Sequence, residues 1–599
     1  MIAYHLDDSL APGGFIGVDV FLVISGFLMT QIIVGRLQAA QFRLWGFYAE
    51  RLRRIWPALA ALCLCLCIAG ATLLDPWTFE QIAADIPAVL LFVSNIAFAS
   101  RGGYFAPDET PNWLQHTWSL SLEWQFYLLY PLVLAAVWAL PALRRWLWPI
   151  VGVLTAASFG LAVRGSLVGA LDAYYALPTR GWELLAGALC AAASGVQFGP
   201  AIRWTLHLAG IALIGAGAIV AVPAEGWPSP LALLPVGGAA LVLVAGVGRT
   251  IWAENPVVAT VGRASYSIYL WHWPVVIALR QADAPMTAAT GLGAVAIMLA
   301  LGFASYWLVE RAATSWVFAP GRRRWAFGLG AVIAIGAFGF VCGRSRGLEA
   351  LRTAAVSPAE RAQMADFRAA SADWAFPQAC GRVVRSAGVS HCQIGDAAAR
   401  QVLVIGDSQA EQVAPRYRHA FDGKPGEGIT FVAVGGCLPI PGVDIRYRHG
   451  CAAWARHAFH DAETSGFRRV AIISAWPLYF GPRAGASRPG ACLAASGCSA
   501  AQGGPAGLVD ASFDLLAAEI VRLRRRGVDV VLFASMPAGV EADPRRLYRR
   551  LLRMHELEAP PLPRSGVEQA AGLERAALKR IAGQTGARLV DPLDGLCPS

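Results

Sequence analysis

Long apolar runs fill the first part of the chain, and a charged, mixed pattern fills the rest. Between Gly14 and Gly343 most of these runs approach the roughly 20 residues that a helix needs to cross a bilayer. From Arg344 to Ser599 charged residues return at the density of a soluble protein. The expected spans are 14–34, 55–74, 124–142, 147–165, 178–195, 206–223, 230–248, 264–279, 287–308 and 325–343. The pattern predicts a polytopic α-helical membrane domain over residues 1–343, followed by a separate domain.

An eleventh apolar stretch, 85–100, is shorter than the others and is interrupted by Pro87 and by Ser94-Asn95. Cytoplasmic loops of membrane proteins collect Lys and Arg. If this stretch does not span, most loop arginines fall on the cytoplasmic side, and if it spans, the arginine-rich loops from Arg144 onward fall outside. The arginines therefore predict ten spans, a re-entrant or buried 85–100 segment and an extracytoplasmic C-terminal domain.

The C-terminal part has the strand and helix pattern of an α/β domain. The sequence VLVIGDSQA (402–410) is a short apolar run that leads through Gly406-Asp407-Ser408 into helix-compatible sequence, which indicates a buried parallel strand turning into a helix. Further strands are expected at 430–434, 470–474 and 528–533. We therefore expect a flavodoxin-like α/β fold with a parallel sheet over 401–599, with 344–400 as a linker and first disulfide loop.

A serine at the end of such a strand points into the crevice where doubly wound folds bind ligands. Ser408 is therefore a candidate nucleophile, with Asp407 beside it as a further candidate catalytic residue. Gly435-Gly436 follows the second expected strand, and the N–H of Gly436 could stabilise an oxyanion together with that of Ser408. The alternative for the glycine pair is a plain tight turn.

Composition narrows the function classes. Only 15% of the 599 residues are charged, where a soluble domain carries about 25%. The net charge of +10 comes mostly from arginine in short loops, without a compact basic patch interleaved with aromatics, so membrane orientation explains it and nucleic acid is not an expected partner. No metal site and no permanently bound cofactor are expected.

Cysteine usage points to an oxidising compartment for the C-terminal part. Seven of the twelve cysteines lie there at short separations, which suggests local disulfides. Because seven is odd, one has no partner, and Cys597 is the expected orphan. The seven are Cys380, Cys392, Cys437, Cys451, Cys492, Cys498 and Cys597.

Five motifs resemble, in order, those of the acyltransferase-3 family of membrane O-acyltransferases. They are GGFIGVDVFLVISGFLMT (13–30), FYAERLRRIWPAL (47–59), HTWSLSLEWQFYLLYPL (116–132), TRGWELLAGAL (179–189) and SYSIYLWHWPVV (265–276). The C-terminal part resembles the SGNH-hydrolase domain fused to such proteins, as in O-acetylases of surface polysaccharide and peptidoglycan. In that branch a tryptophan commonly stands where this chain has Trp476, in place of the family's asparagine donor, and its indole N–H is a candidate donor to the oxyanion. The resemblance implies a multi-pass protein of a bacterial inner membrane, with its SGNH domain in the periplasm or exterior.

The resemblance also implies roles for particular residues. Arg51 and Arg54 lie three apart on one helix face and are implicated in handling an acyl-CoA donor, usually acetyl-CoA, whose phosphates two guanidinium groups can grip. The alternative is membrane-interface anchoring. The family's leading catalytic residue is the histidine matching His5, which could act as general base or acyl carrier.

Other candidates in the membrane domain are less specific. Asp19 and Glu123 are carboxylates in apolar surroundings that could orient a histidine, neutralise a buried arginine or fix helix packing by an ion pair. His116 and His272 also lie in family motifs. For His272, flanked by two tryptophans, a place in an aromatic belt is as good an interpretation as catalysis.

The chain departs from the family pattern at both ends. The family's first helix normally precedes the histidine matching His5, and an Asp-x-x-His pair normally ends the SGNH domain. We therefore expect a truncated first helix and a soluble domain cut before its histidine base, without which Ser408 is a poor nucleophile.

The hypothesis is that an acyl group passes from cytosolic acyl-CoA across the membrane to a hydroxyl of a cell-surface glycan: lipopolysaccharide O-antigen, peptidoglycan or exopolysaccharide. Arg51/Arg54, His5 and Ser408 would act in that order. Two alternatives stay open. One is an extracytoplasmic carbohydrate esterase with a membrane anchor, and the other is a non-enzymatic component of glycan export.

Overall fold

The computed structural model divides into two units, Met1–Arg352 and Thr353–Ser599, each of which is described by itself. The described residues are 1–7, 10–99, 112–167, 171–196, 198–221, 227–247, 254–282, 284–312, 322–372, 376, 380, 382–386, 389–396, 401–421, 424–445, 450–480, 490–496, 504–536, 543–555 and 564–596.

The first unit is helical, and each of the ten predicted spans contains a helix. The helices are α1 (Ile2–Leu6), α2 (Gly17–Gln38), α3 (Leu44–Thr72), α4 (Pro76–Leu90), α5 (Ser94–Ala99), α6 (Thr117–Ala139), α7 (Pro141–Arg144), α8 (Leu147–Leu167), α9 (Leu177–Ala193), α10 (Pro200–Val220), α11 (Leu233–Ala245), α12 (Pro256–Gln281), α13 (Ala288–Ser305), α14 (Arg322–Arg344) and α15 (Glu349–Arg352).

Seven helices in the described part are long and apolar enough to cross a membrane: α2, α3, α6, α8, α10, α13 and α14. The other three predicted spans fall on α9, α11 and α12, which are not among these seven. Two of them, α9 and α11, are too short for local reasons. Helix α9 has 17 residues and buries the charged Arg180 and Glu183 inside the unit. Helix α11 has 13 residues because a 3-10 turn, Pro230–Ala232, precedes it.

The 85–100 stretch is broken, but not where Pro87 stands. Helix α4 begins earlier, at Pro76, continues through Pro87 and ends at Leu90, and Phe92 takes a left-handed φ of 56° before α5 begins. Protein groups satisfy the polar atoms at the break: Ser94 bonds to the Ser121 hydroxyl by its N–H (3.2 Å) and Oγ (2.7 Å), and Asn95 donates to the Tyr175 carbonyl at 3.0 Å. The break is thus tied to neighbouring elements. That the segment is re-entrant stays a prediction.

Helices α2 and α9 cross with their backbones in contact. A Cβ atom added to Gly26 would lie 1.8 Å from the Leu184 carbonyl oxygen, and one on Gly187 would lie 1.9 Å from the Val23 carbonyl oxygen. Because only glycine lacks this atom, the two glycines set how closely the helices approach.

Over its described residues the second unit is an α/β domain with a seven-stranded sheet in the order β1–β2–β4–β3–β6–β8–β9 and a small β5–β7 ribbon. Its elements are α16 (Pro358–Ala372), β1 (Arg382–Ser386), β2 (Val389–Gly395), β3 (Val402–Gly406), α17 (Ser408–Phe421), β4 (Gly428–Ala433), β5 (Val443–Ile445), α18 (Cys451–Thr464), β6 (Arg469–Ile473), α19 (Pro477–Phe480), β7 (Ala491–Leu493), α20 (Gly504–Arg525), β8 (Asp529–Phe533), α21 (Pro544–Met554), α22 (Arg564–Ala570), α23 (Gly572–Thr585), β9 (Arg588–Val590) and α24 (Leu593–Leu596).

The predicted parallel sheet is confirmed for its larger part. Strands β4, β3, β6, β8 and β9 are parallel, whereas β1 and β2 add to one edge antiparallel. The sheet is therefore mixed. Side chains alternate between two cores, with Leu403 and Ile405 on one face and Val404 and Phe431 on the other, so that both faces are covered.

The structure differs from the expected linker over 344–400. Helix α16 begins with a capping box, in which Ser357 N–H donates to Glu360 and Glu360 N–H donates to Ser357 Oγ. Its Met364 packs with Tyr548 and Leu551 of α21, so α16 belongs to the second unit.

Disulfides occur where local pairing was expected. Cys380 joins Cys392, and Cys437 joins Cys451, while Cys492 is also disulfide-bonded. The remaining predictions, on Cys498 and Cys597, lie outside the described residues.

The glycine crossing yields a stability prediction. Replacing Gly187 by Ala should lower the thermal midpoint of the detergent-solubilised protein, because a methyl group cannot fit against the α2 backbone and overpacking costs about 1–3 kcal/mol. Gly160→Ala on α8 is the matched control, since no atom lies within 4 Å of the position that the new Cβ would take. Equal midpoints for the two variants would contradict the close crossing.

Candidate active sites

A cavity of ≈ 280 Å³ lies within the first unit and brings together three of the predicted residues, Arg51, Arg54 and Glu123. Four helices supply its walls. The lining includes Gly17, Ser25 and Met29 from α2, Arg51 and Arg54 from α3, Ser119, Glu123 and Tyr127 from α6, and Tyr266 and Tyr269 from α12. The cavity therefore combines a cationic part with a buried carboxylate and several hydroxyl groups.

The two arginines that line this cavity differ in how exposed their side chains are. Arg51 is half-buried, contacts Met29 Sδ at 3.7 Å and lies 5.8 Å from the centre of the Phe47 ring. Arg54, three residues later on the same face, is exposed. Within the described part of the chain, Arg51 Nε is buried and has no hydrogen-bond partner. The pair can therefore present several N–H donors to one anionic group.

Glu123 is held by two hydroxyl groups. It is only 4% exposed and accepts hydrogen bonds from Ser25 Oγ and from Tyr127 Oη, and these two hydroxyls lie 2.7 Å apart. This arrangement fixes the carboxylate on the cavity wall, where two guanidinium groups also line the space. Glu123 does not contact a histidine in the described contacts, so a histidine-orienting role has no support here.

His5 is buried on α1 and lies beside α12. The centre of its ring is 4.8 Å from that of Trp273 and 5.4 Å from that of His272, and its carbonyl accepts a hydrogen bond from Arg280 at 3.0 Å. His272 and His116 are 1% and 3% exposed. The aromatic-belt interpretation of His272 is therefore wrong, because its ring is packed inside the helical unit.

Tyr269 links these histidines to the cavity. Its hydroxyl donates to the His116 carbonyl at 2.6 Å and lies 2.8 Å from Ser119 Oγ, and both Tyr269 and Ser119 line the cavity. Sequence analysis named His116 and His272 without placing them together. The spacing of two motifs far apart in the chain carries no signal of that contact.

Asp19 accepts hydrogen bonds from two buried side chains. Its Oδ1 accepts from Arg180 Nη1 at 3.1 Å and from Trp227 Nε1 at 3.0 Å, and Arg180 also pairs with Glu183 at 3.0 Å. Arg180, Asp19 and Glu183 are fully buried. Of the roles considered for Asp19, the structure favours neutralising a buried arginine, which also ties α2 to α9.

In the second unit, Ser408 begins α17 directly after β3. The carboxyl ends of β3, β4 and β6 are level, because Gly406 pairs with Ala433 and with Ile473. Ser408, Gly435 and Ser474 therefore follow three adjacent strand ends, which is the expected crevice. A Cβ added to Gly435 would lie 3.7 Å from Ser408 Cβ, so the serine and the glycine turn are neighbours.

Asp407 organises this turn and does not face the crevice. Its Oδ2 accepts hydrogen bonds from the Ser474 hydroxyl (2.7 Å), the Ala475 N–H (2.8 Å) and the Tyr479 hydroxyl (2.9 Å), and its Oδ1 accepts from the Gln409 N–H (2.9 Å). Burial raises the pKa of Asp407, although these donors act to lower it. The contacts indicate a residue that ties β3, β6 and α19 together beside Ser408.

Only one glycine of the Gly435-Gly436 pair remains for an oxyanion. The Gly435 N–H donates to Glu411 Oε1 at 2.8 Å, whereas Gly436 has a left-handed φ of 77° that glycine adopts readily. Gly436 is thus the glycine of the pair that can supply a donor beside Ser408. Sequence analysis missed Glu411, although its position three residues after Ser408 places both on one helix face.

Trp476 cannot be the side-chain donor that the resemblance suggested. It is fully buried, and its indole N–H donates to the Phe533 carbonyl at 2.8 Å. The prediction of an indole oxyanion donor is therefore wrong, because the only N–H of that side chain already joins β6 to β8. Among the described residues, no group of three or more His, Cys, Asp or Glu side chains could hold a metal ion.

Comparison with known proteins gives two family matches. Residues 2–311 match a model described as an acyltransferase domain, and residues 378–599 match one described as an SGNH domain fused to AT3 domains. No solved structure matches the chain.

Relatives match mainly over the membrane unit. The putative membrane-bound transacylase BcsY of Komagataeibacter xylinus is 31% identical over 307 residues, covering 50% of this chain and 76% of the relative. The peptidoglycan O-acetyltransferase OatA of Listeria monocytogenes is 32% identical over 301 residues, covering 46% and 47%. The O-acetyltransferase OatA of Staphylococcus aureus is 27% identical over 294 residues, covering 46% and 48%. The chain thus spans about half the length of the two O-acetyltransferases.

The Trp476 contact yields a prediction with a matched control. Trp476→Phe should lower the thermal midpoint of the purified protein, because it leaves the Phe533 carbonyl without its donor, and an unsatisfied buried group costs about 1–3 kcal/mol. In Trp454→Phe the lost indole N–H has no partner in the described structure, so the drop should be smaller. A larger drop for Trp454→Phe would refute the assignment.

Proposed function

Because this chain belongs to the acyltransferase family and carries the SGNH domain fused to such proteins, we propose that it transfers an acyl group, most simply acetyl, to a hydroxyl of a cell-surface glycan. The observation that carries the proposal is the cavity of the first unit. It joins a pair of arginines to a buried carboxylate and extends to the tyrosine that contacts the histidines.

In this proposal Arg51 and Arg54 bind the phosphates of an acyl-CoA. Guanidinium groups bind phosphate bidentately, and two on one helix face can hold a diphosphate. Arg54 is exposed while Arg51 is half-buried, so the phosphates stay at the cavity mouth and the thioester arm enters the space between α2, α6 and α12. The arginine-rich loops favour a cytosolic position for this mouth.

His5 is the proposed general base or acyl carrier of the membrane step. Its ring is buried and lies beside two further imidazoles, one of which is tied to the cavity wall through Tyr269. A neutral imidazole in such surroundings can accept a proton from an attacking hydroxyl or accept the acyl group itself.

Ser408 is the proposed nucleophile of the second step. It lies at the carboxyl edge of the sheet, begins an α-helix and neighbours the glycine turn. The helix N-terminus and the N–H of Gly436 would stabilise the oxyanion that forms when Ser408 Oγ bonds to the acyl carbon. The bond between the acyl carbon and its carrier then breaks, and the serine proton passes to that leaving group. A sugar hydroxyl next attacks the acyl-serine, the Oγ–acyl bond breaks, and the sugar proton returns to Oγ.

The acceptor proposed first is peptidoglycan, since two relatives carry that substrate in their names. Lipopolysaccharide O-antigen and exopolysaccharide are the other acceptors with suitable hydroxyl groups. The proposed location is a bacterial inner membrane, with the SGNH domain outside the cytoplasm, as the loop arginines and the disulfides of the second unit favour.

The arginine pair can be tested with proteoliposomes and radiolabelled acetyl-CoA. Arg51→Ala should lower kcat/KM for acyl transfer about 10- to 100-fold, mainly through KM, because charged hydrogen bonds to phosphate contribute about 1.5–3 kcal/mol. Arg53→Ala is the control, since Arg53 lies on the same helix turn but packs on Trp325 and does not line the cavity. Equal loss in both variants would exclude a specific donor site at Arg51.

The role of Ser408 can be tested by trapping its acyl-enzyme and by analysing the surface glycan. In the intact protein, labelled acetyl should appear on Ser408, and Ser408→Ala should reduce glycan acetylation by about 10³-fold or more. Mass spectrometry of surface glycans from cells with wild type, variant and no gene measures this. Full acetylation in the Ser408→Ala strain would remove the second unit from the pathway. Ester hydrolysis that persists in Arg51→Ala would favour the esterase alternative.

A further inference from the structure

Three buried imidazoles lie next to one another in the first unit, and we call His5, His272 and His116 the histidine row. Each is less than a tenth exposed, at 5%, 1% and 3%. The ring centres of His5 and His272 are 5.4 Å apart, and those of His272 and His116 are 5.7 Å apart. His272 is therefore the middle member, in contact with both of the others.

The contacts of His272 determine which of its nitrogens carries hydrogen. Its Nδ1 lies against the carbonyl oxygen of Tyr269, three residues earlier on α12. Two acceptors would repel at this approach, so Nδ1 carries the hydrogen and donates it. Nε2 is then left with a lone pair. It is buried, and in the described part of the chain it has no hydrogen-bond partner.

His116 is still less satisfied. Both of its ring nitrogens are buried, and among the described residues neither makes a hydrogen bond of ordinary geometry, although the ring lies against the Leu270 backbone. Native proteins rarely leave buried polar groups poorly paired for packing alone. Buried nitrogens of this kind on adjacent rings thus indicate groups that exchange protons.

The row is next to the proposed reaction space. Tyr269 lines the cavity. Its hydroxyl donates a hydrogen bond to the His116 carbonyl, and its own carbonyl accepts one from Nδ1 of His272. One residue on the cavity wall therefore contacts the backbone of His116 and the ring of His272.

We propose that His272 and His116 are positioning residues that carry the proton which His5 must take up and release during acyl transfer. The inference rests on the proposed function. In the membrane step of that reaction the O–H bond of the attacking hydroxyl and the thioester C–S bond break, and an ester C–O bond and a thiol S–H bond form. The hydroxyl proton passes to His5. It moves to Nε2 of His272 when the two rings come within hydrogen-bonding distance, then to His116 or back, and ends on the leaving thiolate. No further reactant is needed.

Other groups face the row but do not replace it. Tyr269 and Arg280 are the titratable and charged residues of α12 beside it, Tyr4 lies beside His5 on α1, and the amino group of Met1 acts on both His5 and His272. Arg280 donates a hydrogen bond to the His5 carbonyl and is the charged side chain of α12 next to the row.

The test compares His272→Asn with wild type in proteoliposomes supplied with radiolabelled acetyl-CoA. The Asn amide keeps a donor for the Tyr269 carbonyl but has no group at Nε2. We expect kcat to fall about 10²-fold or more with KM for the donor unchanged, because general base catalysis contributes about 10²- to 10⁴-fold. The acid limb of the pH–kcat profile should become shallower, because one proton fewer has to be lost.

His207→Asn is the matched control, since His207 lies on α10 beside Trp204 and outside the row. It should leave kcat and the pH profile unchanged. A loss in His272→Asn that appears only in the thermal midpoint or in KM would overturn the inference and make His272 a packing residue. Wild type without any acyl transfer would refute the proposed function itself, and the inference with it.

A double-mutant cycle provides an independent test. If His272 and His116 act as one row, the double variant His116→Gln/His272→Asn should lose little more activity than the worse single variant. Fully multiplicative losses would mean that the two histidines act separately, and would overturn the row.

Discussion

A charged side chain inside an apolar helical bundle must find its partner within the protein, and the first unit depends on one such contact. Arg180 of α9 reaches Asp19 of α2, and both are fully buried. Removing one member of such a pair is strongly destabilising because it leaves the other charge uncompensated. The ion pair thereby fixes α2, the helix that also contributes Gly17, Ser25 and Met29 to the cavity. The position of the α2 side of the cavity follows from this contact.

A buried carboxylate plays a comparable part in the second unit. Asp407 accepts hydrogen bonds from residues that directly follow β6 and from α19, at the point where β3 turns into α17. Ser408 is the next residue, so its placement depends on how well this carboxylate is satisfied. Both units thus place their candidate reactive groups beside a fully hydrogen-bonded or ion-paired acid.

The sequence was sufficient for the features that local pattern encodes. Apolar runs located every predicted helix, and the strand before Gly406-Asp407-Ser408 located the crevice. It could not show that the Trp476 indole N–H donates to the Phe533 carbonyl, or that Glu411 accepts a hydrogen bond from the Gly435 N–H. Nor could it show that β1 and β2 join the sheet antiparallel. These depend on which strands and helices become neighbours, and no spacing within one segment records that. The same holds for His5, His116 and His272, which come from three separate segments of the chain.

The two glycines at the α2–α9 crossing have a consequence for gating. Backbones in direct contact at two levels cannot slide or rotate past each other without a clash, so this wall of the reaction space is rigid. A change of shape that admits a donor or releases a product therefore falls to the side chains of the cavity lining and to α3, α6 and α12, and not to movement of α2 along α9.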